Sequence, residues 1–198
     1  MRLLVVTAVD AERDALDLPD VLVGGIGPAA SAAATSAALA RGTYDLVLSA
    51  GIAGGFAPLA IGDIAVASTI AHADLGGELA DGFRPIDAAP ARYEVAPRLG
   101  IEIADRTGGH LGTILTVSTV TGTAASADAL LARHPDAVAE AMEGAGVAAA
   151  ATLHGVPFAE VRAISNLVGP HDRDAWRIGD ALTALGVAVT ALARGWDT

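Results

Sequence analysis

Short runs dominated by apolar side chains recur along this chain: Leu3 to Thr7, Val21 to Val23, Asp45 to Ser49, Ile64 to Ser68, Gly112 to Val117 and Phe158 to Ile164. A strand that is apolar at successive positions has no face to give to water, so it must be covered on both sides. Between these runs lie helical patterns. Asp10 to Leu16 begins with acids, which the helix dipole favours. Ala29 to Arg41 follows a proline and precedes Gly42, both preferred positions at helix ends. Pro97 to Asp105, Ala137 to His154 and Ala175 to Arg194 complete the helical set. Buried strands alternating with helices define an α/β protein with three layers, α/β/α, around a central mixed, mostly parallel sheet. From His72 to Tyr93 the composition turns polar and irregular, as in a long loop or cap, and "STVTGTAAS", residues 118 to 126, reads as a loop.

The 198 residues suit one domain with a sizeable core, and no repeat, linker or internal boundary divides residues 1–198. Alanine supplies much of the 53% hydrophobic content while aromatics make up 4%, so the core packs by close approach of small side chains. The 23 glycines imply many tight turns between strands and helices. Net charge is −11 and every cation among the 12 is arginine, which argues against nucleic acid or an anionic membrane as partner. The absence of lysine removes Schiff-base chemistry and the phosphate-loop lysine of nucleotide hydrolases. With no cysteine there is no disulfide framework, thiolate nucleophile or thiolate metal site. The opening "MRLLVVTAVDAE" is unlike a signal peptide, and no apolar stretch is long enough to span a membrane, so a cytoplasmic protein is expected.

In open α/β sheets the site lies at the carboxyl ends of the strands. The polar strand-end segments here are Asp10/Glu12, Gly51 to Gly55, Ser118 to Thr123 and Ser165/Asn166. "GIGPAA", residues 25 to 30, matches a dinucleotide-binding turn, but it follows the second strand and no acid stands near residue 47 to hold a ribose. The alternative is a tight turn packing an alanine-rich helix onto the sheet. The five histidines show no metal-ligand spacing, and no G-x-S-x-G elbow is present, so no metal, cofactor or serine nucleophile is expected. Glu143, set mid-helix among small apolar residues in "AEAMEGAGVAAAA", must be buried. A buried glutamate is costly unless paired, either in a structural ion pair with Arg162 or for a sugar hydroxyl or cationic transition state.

The blocks "TAVDAE", "GIGPAASAAAT", "SAGIAGGFAPLAIGDIAVAS", "EAMEGAGVAAAA" and "RAISN" occur in the order seen in the nucleoside phosphorylase-like family, which the chain resembles from Leu3 to about Asn166. That family includes the methylthioadenosine/S-adenosylhomocysteine nucleosidases and cleaves the N-glycosidic bond of purine nucleosides with water or phosphate. The resemblance implies that Glu12 activates the attacking water, that Met142 packs under the ribose and that Glu143 binds its hydroxyls. Arg162 stands beside these acids, and Asn166 falls where the adenine-specific nucleosidases have aspartate. Gly54, Thr121, Gly122 and Ser165, on the strand-end segments, are further candidates for binding substrate. Carboxylates near C1′ would stabilise an oxocarbenium-like transition state.

Water is favoured over phosphate. The positions where phosphorylases of this family keep an arginine and a hydroxyl are Ser49 and Ile52 here, and there is no lysine to substitute. Asparagine cannot supply a proton, but its NH2 can donate to N7 and to a 6-oxo group, so Asn166 points to hypoxanthine rather than adenine as leaving base. "RAISNLVGP" followed by "RDAW" resembles the futalosine-hydrolysing branch of the family, which releases hypoxanthine in menaquinone biosynthesis. Compared with the methylthioadenosine enzymes, a hairpin-sized piece is missing between Glu12 and "GGIGPAA". For an aryl carboxylate beyond C5′, Arg84, His171, Arg173 and Arg177 are candidate cations, with Phe83 or Trp176 as a ring face. The family assembles as homodimers or larger homo-oligomers, and the polar 72–93 segment is a candidate for completing a neighbour's site.

Overall fold

A computed structural model describes residues 1–80, 82–86, 91–170 and 172–196. The chain begins β1 (Leu3–Thr7), α1 (Asp10–Asp14), β2 (Val21–Val23), α2 (Pro28–Leu39), β3 (Leu46–Gly55) and β4 (Ile64–His72). A hairpin, β5 (Gly76–Leu79) and β6 (Gly82–Pro85), leads to β7 (Arg92–Glu94), α3 (Pro97–Thr107) and β8 (His110–Thr116). The rest is α4 (Ala124–Arg133), β9 (Ala137–Ala141), α5 (Gly144–His154), β10 (Phe158–Leu167), a 3-10 turn at Arg173–Ala175 and α6 (Ile178–Arg194).

The main sheet runs β10-β4-β8-β9-β3-β1-β2, with β7 on β4. Pairs β10–β4, β3–β9 and β4–β7 are antiparallel and the others parallel, so the sheet is mixed and mostly parallel. Because β10 also pairs with β3, the strands β10, β4, β8, β9 and β3 close on themselves. Closure brings the carboxyl ends of β3 and β9, which run antiparallel, to the same place: Gly54 pairs with Glu140. Helices α2 and α5 pack closely together, and a Cβ on Gly146 would collide with the main-chain oxygen of Pro28. The small-residue packing expected from the alanine content is realised here. Helices α3 and α6 pack against each other, α3 against β4 and α6 against β10 and β3.

Three expectations change. The segment Ala137 to His154 is not one helix but β9 followed by α5, and Glu143 is the N-cap of α5 (φ −112°, ψ −28°) rather than a mid-helix residue. Alanine's helical preference in "AVAEA" yields to pairing with β8 on one side and β3 on the other. The 118–126 loop ends at Thr123, whose Oγ1 accepts from the amide of Ser126 at 3.1 Å and caps a helix, α4, that hydrophobic pattern alone did not reveal. The polar 72–93 segment carries the β5–β6 hairpin and β7, and β4 itself reaches His72. Between Asp14 and Val21 the chain crosses without a strand.

Candidate active site

The final strand decides the site's base. β10 pairs in register with β3 up to Ile164↔Ala53, then resumes at Asn166↔Gly54, so Ser165 is the extra residue of a bulge. A bulge re-aims the side chains after it. Ser165 turns inward, where its hydroxyl divides its proton between Asn166 Oδ1 at 2.9 Å and the main-chain oxygen of Ala53 at 3.2 Å. The Asn166 amide nitrogen donates to Leu167 O at 3.1 Å. With its oxygen turned to Ser165, Asn166 offers its second amide hydrogen to the cavity beside it.

That cavity, of about 260 Å³, is lined by Glu12, Gly54, Thr121, Met142, Glu143, Ser165 and Asn166 among others. Of the residues expected at the site, Arg162 and Gly122 do not line it. Gly122 follows Thr121 in the β8–α4 connection, and Arg162 lies beneath the wall, 1% exposed. Its guanidinium bonds Glu160 Oε1 through Nε at 2.8 Å, meets Glu143 Oε2 at 3.2 Å and donates to Ser49 Oγ at 3.0 Å. Burial opposes the Arg162 cation, but Glu160, Glu143 and Glu12 outweigh it and hold its pKa above the ordinary arginine value. The ion pair of Glu143 with Arg162 is present: one oxygen meets Arg162, and the other accepts from the amide of Gly27 at 3.2 Å. Gly25 and Gly27 adopt φ of 87° and 89°, and "GIGPAA" is the turn that both delivers this amide and starts α2.

Glu12 is the most constrained of the lining acids. Its Oε2 accepts from the amides of Ala8 at 2.8 Å and Val9 at 3.4 Å, and its Oε1 from Ile52 at 2.9 Å. Gly51 makes room for it, since a Cβ there would stand 2.5 Å from both Glu12 Oε1 and Arg162 Nη1.

Two buried acids escaped the sequence reading. Glu160 is fully buried, with one oxygen on Arg162 and the other without a partner, and burial raises its carboxyl above the usual range. Its signal was the Glu160/Arg162 alternation inside an otherwise apolar strand, which puts both on one face. Glu140 lines the cavity and accepts from the amide of Thr121 at 2.8 Å and, through a short bond, from its hydroxyl. Reading that segment as helix concealed it.

Trp176 also lines the cavity, and the Arg173 guanidinium lies 5.9 Å from its ring. Phe83 lies instead under Arg133 at 4.9 Å, and neither it, Arg84 nor Arg177 reaches the cavity wall. His171 lies outside the described residues. Among the described residues, no group of acids and histidines could hold a metal ion, and no helix is long and apolar enough to cross a membrane.

A closed mixed sheet with acids gathered at its strand ends and an arginine buried beneath them defines a class, and sequence comparison assigns it. The profile of the phosphorylase superfamily matches residues 20–194, and the chain belongs to that superfamily. Within it, the chain is 51% identical to the futalosine hydrolase of Streptomyces coelicolor, over 98% of this chain and 95% of that protein. It is 46% identical to the futalosine hydrolase of Acidothermus cellulolyticus, over 98% and 91%. In fold it matches the 5′-methylthioadenosine/S-adenosylhomocysteine nucleosidase of S. pneumoniae with a TM-score of 0.86, at 22% identity and with all of both chains covered.

Proposed function

We propose that this protein hydrolyses the N-glycosidic bond of futalosine, releasing hypoxanthine and dehypoxanthine futalosine, a step of menaquinone biosynthesis. The observation that carries the reading is the Glu12 carboxylate, held by three main-chain amides on a cavity wall where no described cation stands. Those amides are the groups that would welcome an anion, and Glu12 already occupies them. The buried cation, Arg162, is engaged by Glu160, Glu143 and Ser49. A phosphate dianion would meet Glu12, Glu140 and Glu143 on a wall that carries no cation among the described residues, which favours water as the nucleophile.

In this reading the C1′–N9 bond lengthens first and positive charge grows on the sugar, where Glu12 and Glu143 stabilise it. Water forms the new C1′–O bond and gives a proton to Glu12, a contribution worth roughly two to four powers of ten. Met142 packs under the ribose and Glu143 binds its hydroxyls. The departing base takes a hydrogen bond from Asn166 at N7 or O6. Asn166 has no proton to give, so hypoxanthine leaves as an anion and is protonated by solvent. Trp176 offers a ring face to the aryl group and Arg173 the cation for its carboxylate. The resemblance to relatives named futalosine hydrolase supports this substrate over methylthioadenosine. The protein would work in the cytoplasm as one domain per chain, without cofactor, in a homodimer or larger assembly.

Incubation with futalosine, inosine and methylthioadenosine, each with and without phosphate, tests the reading by identifying the released base. Hypoxanthine from futalosine without phosphate is the expected result. Adenine release alone, or strict dependence on phosphate, refutes it.

A further inference from the structure

One ionisable side chain on the cavity wall has no part in the chemistry at C1′. Glu140 stands near the end of β9, is 6% exposed, and faces the cavity. Its position is set by strand register. Gly54 of β3 pairs with Glu140 on one side and with Asn166 on the other, and all three line the cavity. A residue with no side chain therefore lies between a carboxylate and a carboxamide. Adjacent strands run about 4.8 Å apart, so the two flanking backbones are about 10 Å apart, and both side chains border the space above the bare glycine. A Cβ on Gly54 would stand 2.9 Å from Val168 Cγ2 and 3.2 Å from Asn166 Nδ2, so the bare position is a spatial requirement.

Thr121 orients the Glu140 carboxylate with two hydrogen bonds, one to each oxygen. Each oxygen has a second lone pair, so the carboxylate can accept from a further donor. Burial raises the Glu140 carboxyl above its ordinary range against the opposing bonds from Thr121, and an additional donor would favour the ionised form. A 6-oxopurine presents two acceptors, N7 and O6, and next to them one donor, N1–H. The remaining Asn166 amide hydrogen serves N7 or O6. Only an acceptor can serve the third. Adenine inverts this edge, with an acceptor at N1 that an ionised carboxylate would repel.

We propose that Glu140 is a specificity-determining residue, its carboxylate accepting from N1–H of a 6-oxopurine seated over Gly54, opposite the Asn166 amide. The inference rests on the hydrolase reading above and extends it, because it divides recognition of the base between two strands that flank one glycine. Glu140 takes no part in bond breaking, so its effect falls on binding more than on turnover.

The test compares binding of hypoxanthine, 1-methylhypoxanthine and adenine to the full chain by calorimetry, alongside hypoxanthine release from futalosine. Wild type should bind hypoxanthine at least about tenfold more tightly than its N1-methylated form, the lower bound for one hydrogen bond to a charged group. Glu140→Ala should bring that ratio close to one. Glu140→Gln should lose about 10- to 100-fold in kcat/KM on futalosine, mainly through KM, and gain affinity for adenine because its amide can donate to N1. An unchanged ratio in Glu140→Ala overturns the proposal. So does an equal loss for all three bases, which would make Glu140 only a support for Thr121. If Glu140→Ala does not fold, the wild-type and Glu140→Gln ratios decide. A wild type that releases hypoxanthine from futalosine yet binds both hypoxanthines alike sinks this inference alone. One that releases no hypoxanthine from any nucleoside sinks the hydrolase reading with it.

Discussion

The Glu12 carboxylate and the Ile52 amide, 40 residues apart in sequence, meet at 2.9 Å, with Ala8 and Val9 donating to the other carboxylate oxygen. This contact ties the turn after β1 to the middle of β3 and holds the acid in one orientation. A base for water needs that fixed position as much as it needs charge. The same three amides make the acid's place an anion site that is already filled, which is the ground for the proposed hydrolysis.

Glu12→Gln keeps the shape and loses the base. Turnover of futalosine should fall by about 10²- to 10⁴-fold while nucleoside binding persists. Steady-state hypoxanthine release measures the first and calorimetric titration the second. A near-normal rate would remove Glu12 from its assigned role.

Asn166→Asp converts a donor into a group that can protonate N7 and accept from a 6-amino group. The ratio of kcat/KM for methylthioadenosine over futalosine should rise by at least about tenfold, the worth of one good hydrogen bond. If the ratio does not move, Asn166 does not select the base.

Arg162→Ala leaves Glu160 and Glu143 buried without their shared cation. Breaking a buried pair by removing one partner costs about 3–5 kcal/mol, a large part of a domain's stability. Urea unfolding should show this loss, whereas an Arg13→Ala variant, whose ion pairs are on the surface, should change little. Equal effects would mean the buried cluster is not the structural anchor of the site.

Gly51→Ala places a methyl 2.5 Å from Glu12 Oε1 and Arg162 Nη1. Overpacking of this kind costs about 1–3 kcal/mol and displaces the acid, so kcat should drop together with the midpoint of thermal unfolding. An active, stable variant would show that the strand can yield at this point.

Glu160 and Glu140 both have carboxyls raised by burial. A folded-state pKa above the unfolded one means that the unfolded chain releases its proton first. The stability tied to these groups is complete below the ordinary glutamate range and declines as pH rises through the raised values. While one such group is ionised unfolded and protonated folded, the slope approaches about 1.4 kcal/mol per pH unit. Unfolding free energies measured from pH 4 to 8 should fall less steeply for Glu160→Gln than for wild type. Parallel profiles would show that Glu160 is ionised throughout.

The layered α/β class, the strand cores at Leu3–Thr7 and Val21–Val23, and the strand-end locations of Glu12 and Asn166 were all legible along the sequence, because they depend on local pattern. Apolar runs declare buried strands, and a polar residue at their ends has few other places to go. The alanine-rich stretch 137–154 misled for the same reason. Its local preference is helical, and only pairing with β3 and β8 makes its first five residues a strand.

What tertiary structure alone decided is how the acids meet. The closure of β10 onto β3 brings Arg162 opposite Gly51 and Asn166 opposite Gly54, and the crossing of β9 adds Glu140 at Gly54's other side. No residue in the chain announces a neighbour more than 100 positions away. Those contacts form because a closed sheet must satisfy every strand's hydrogen bonds at once, and that collective condition fixes which buried charges face one another.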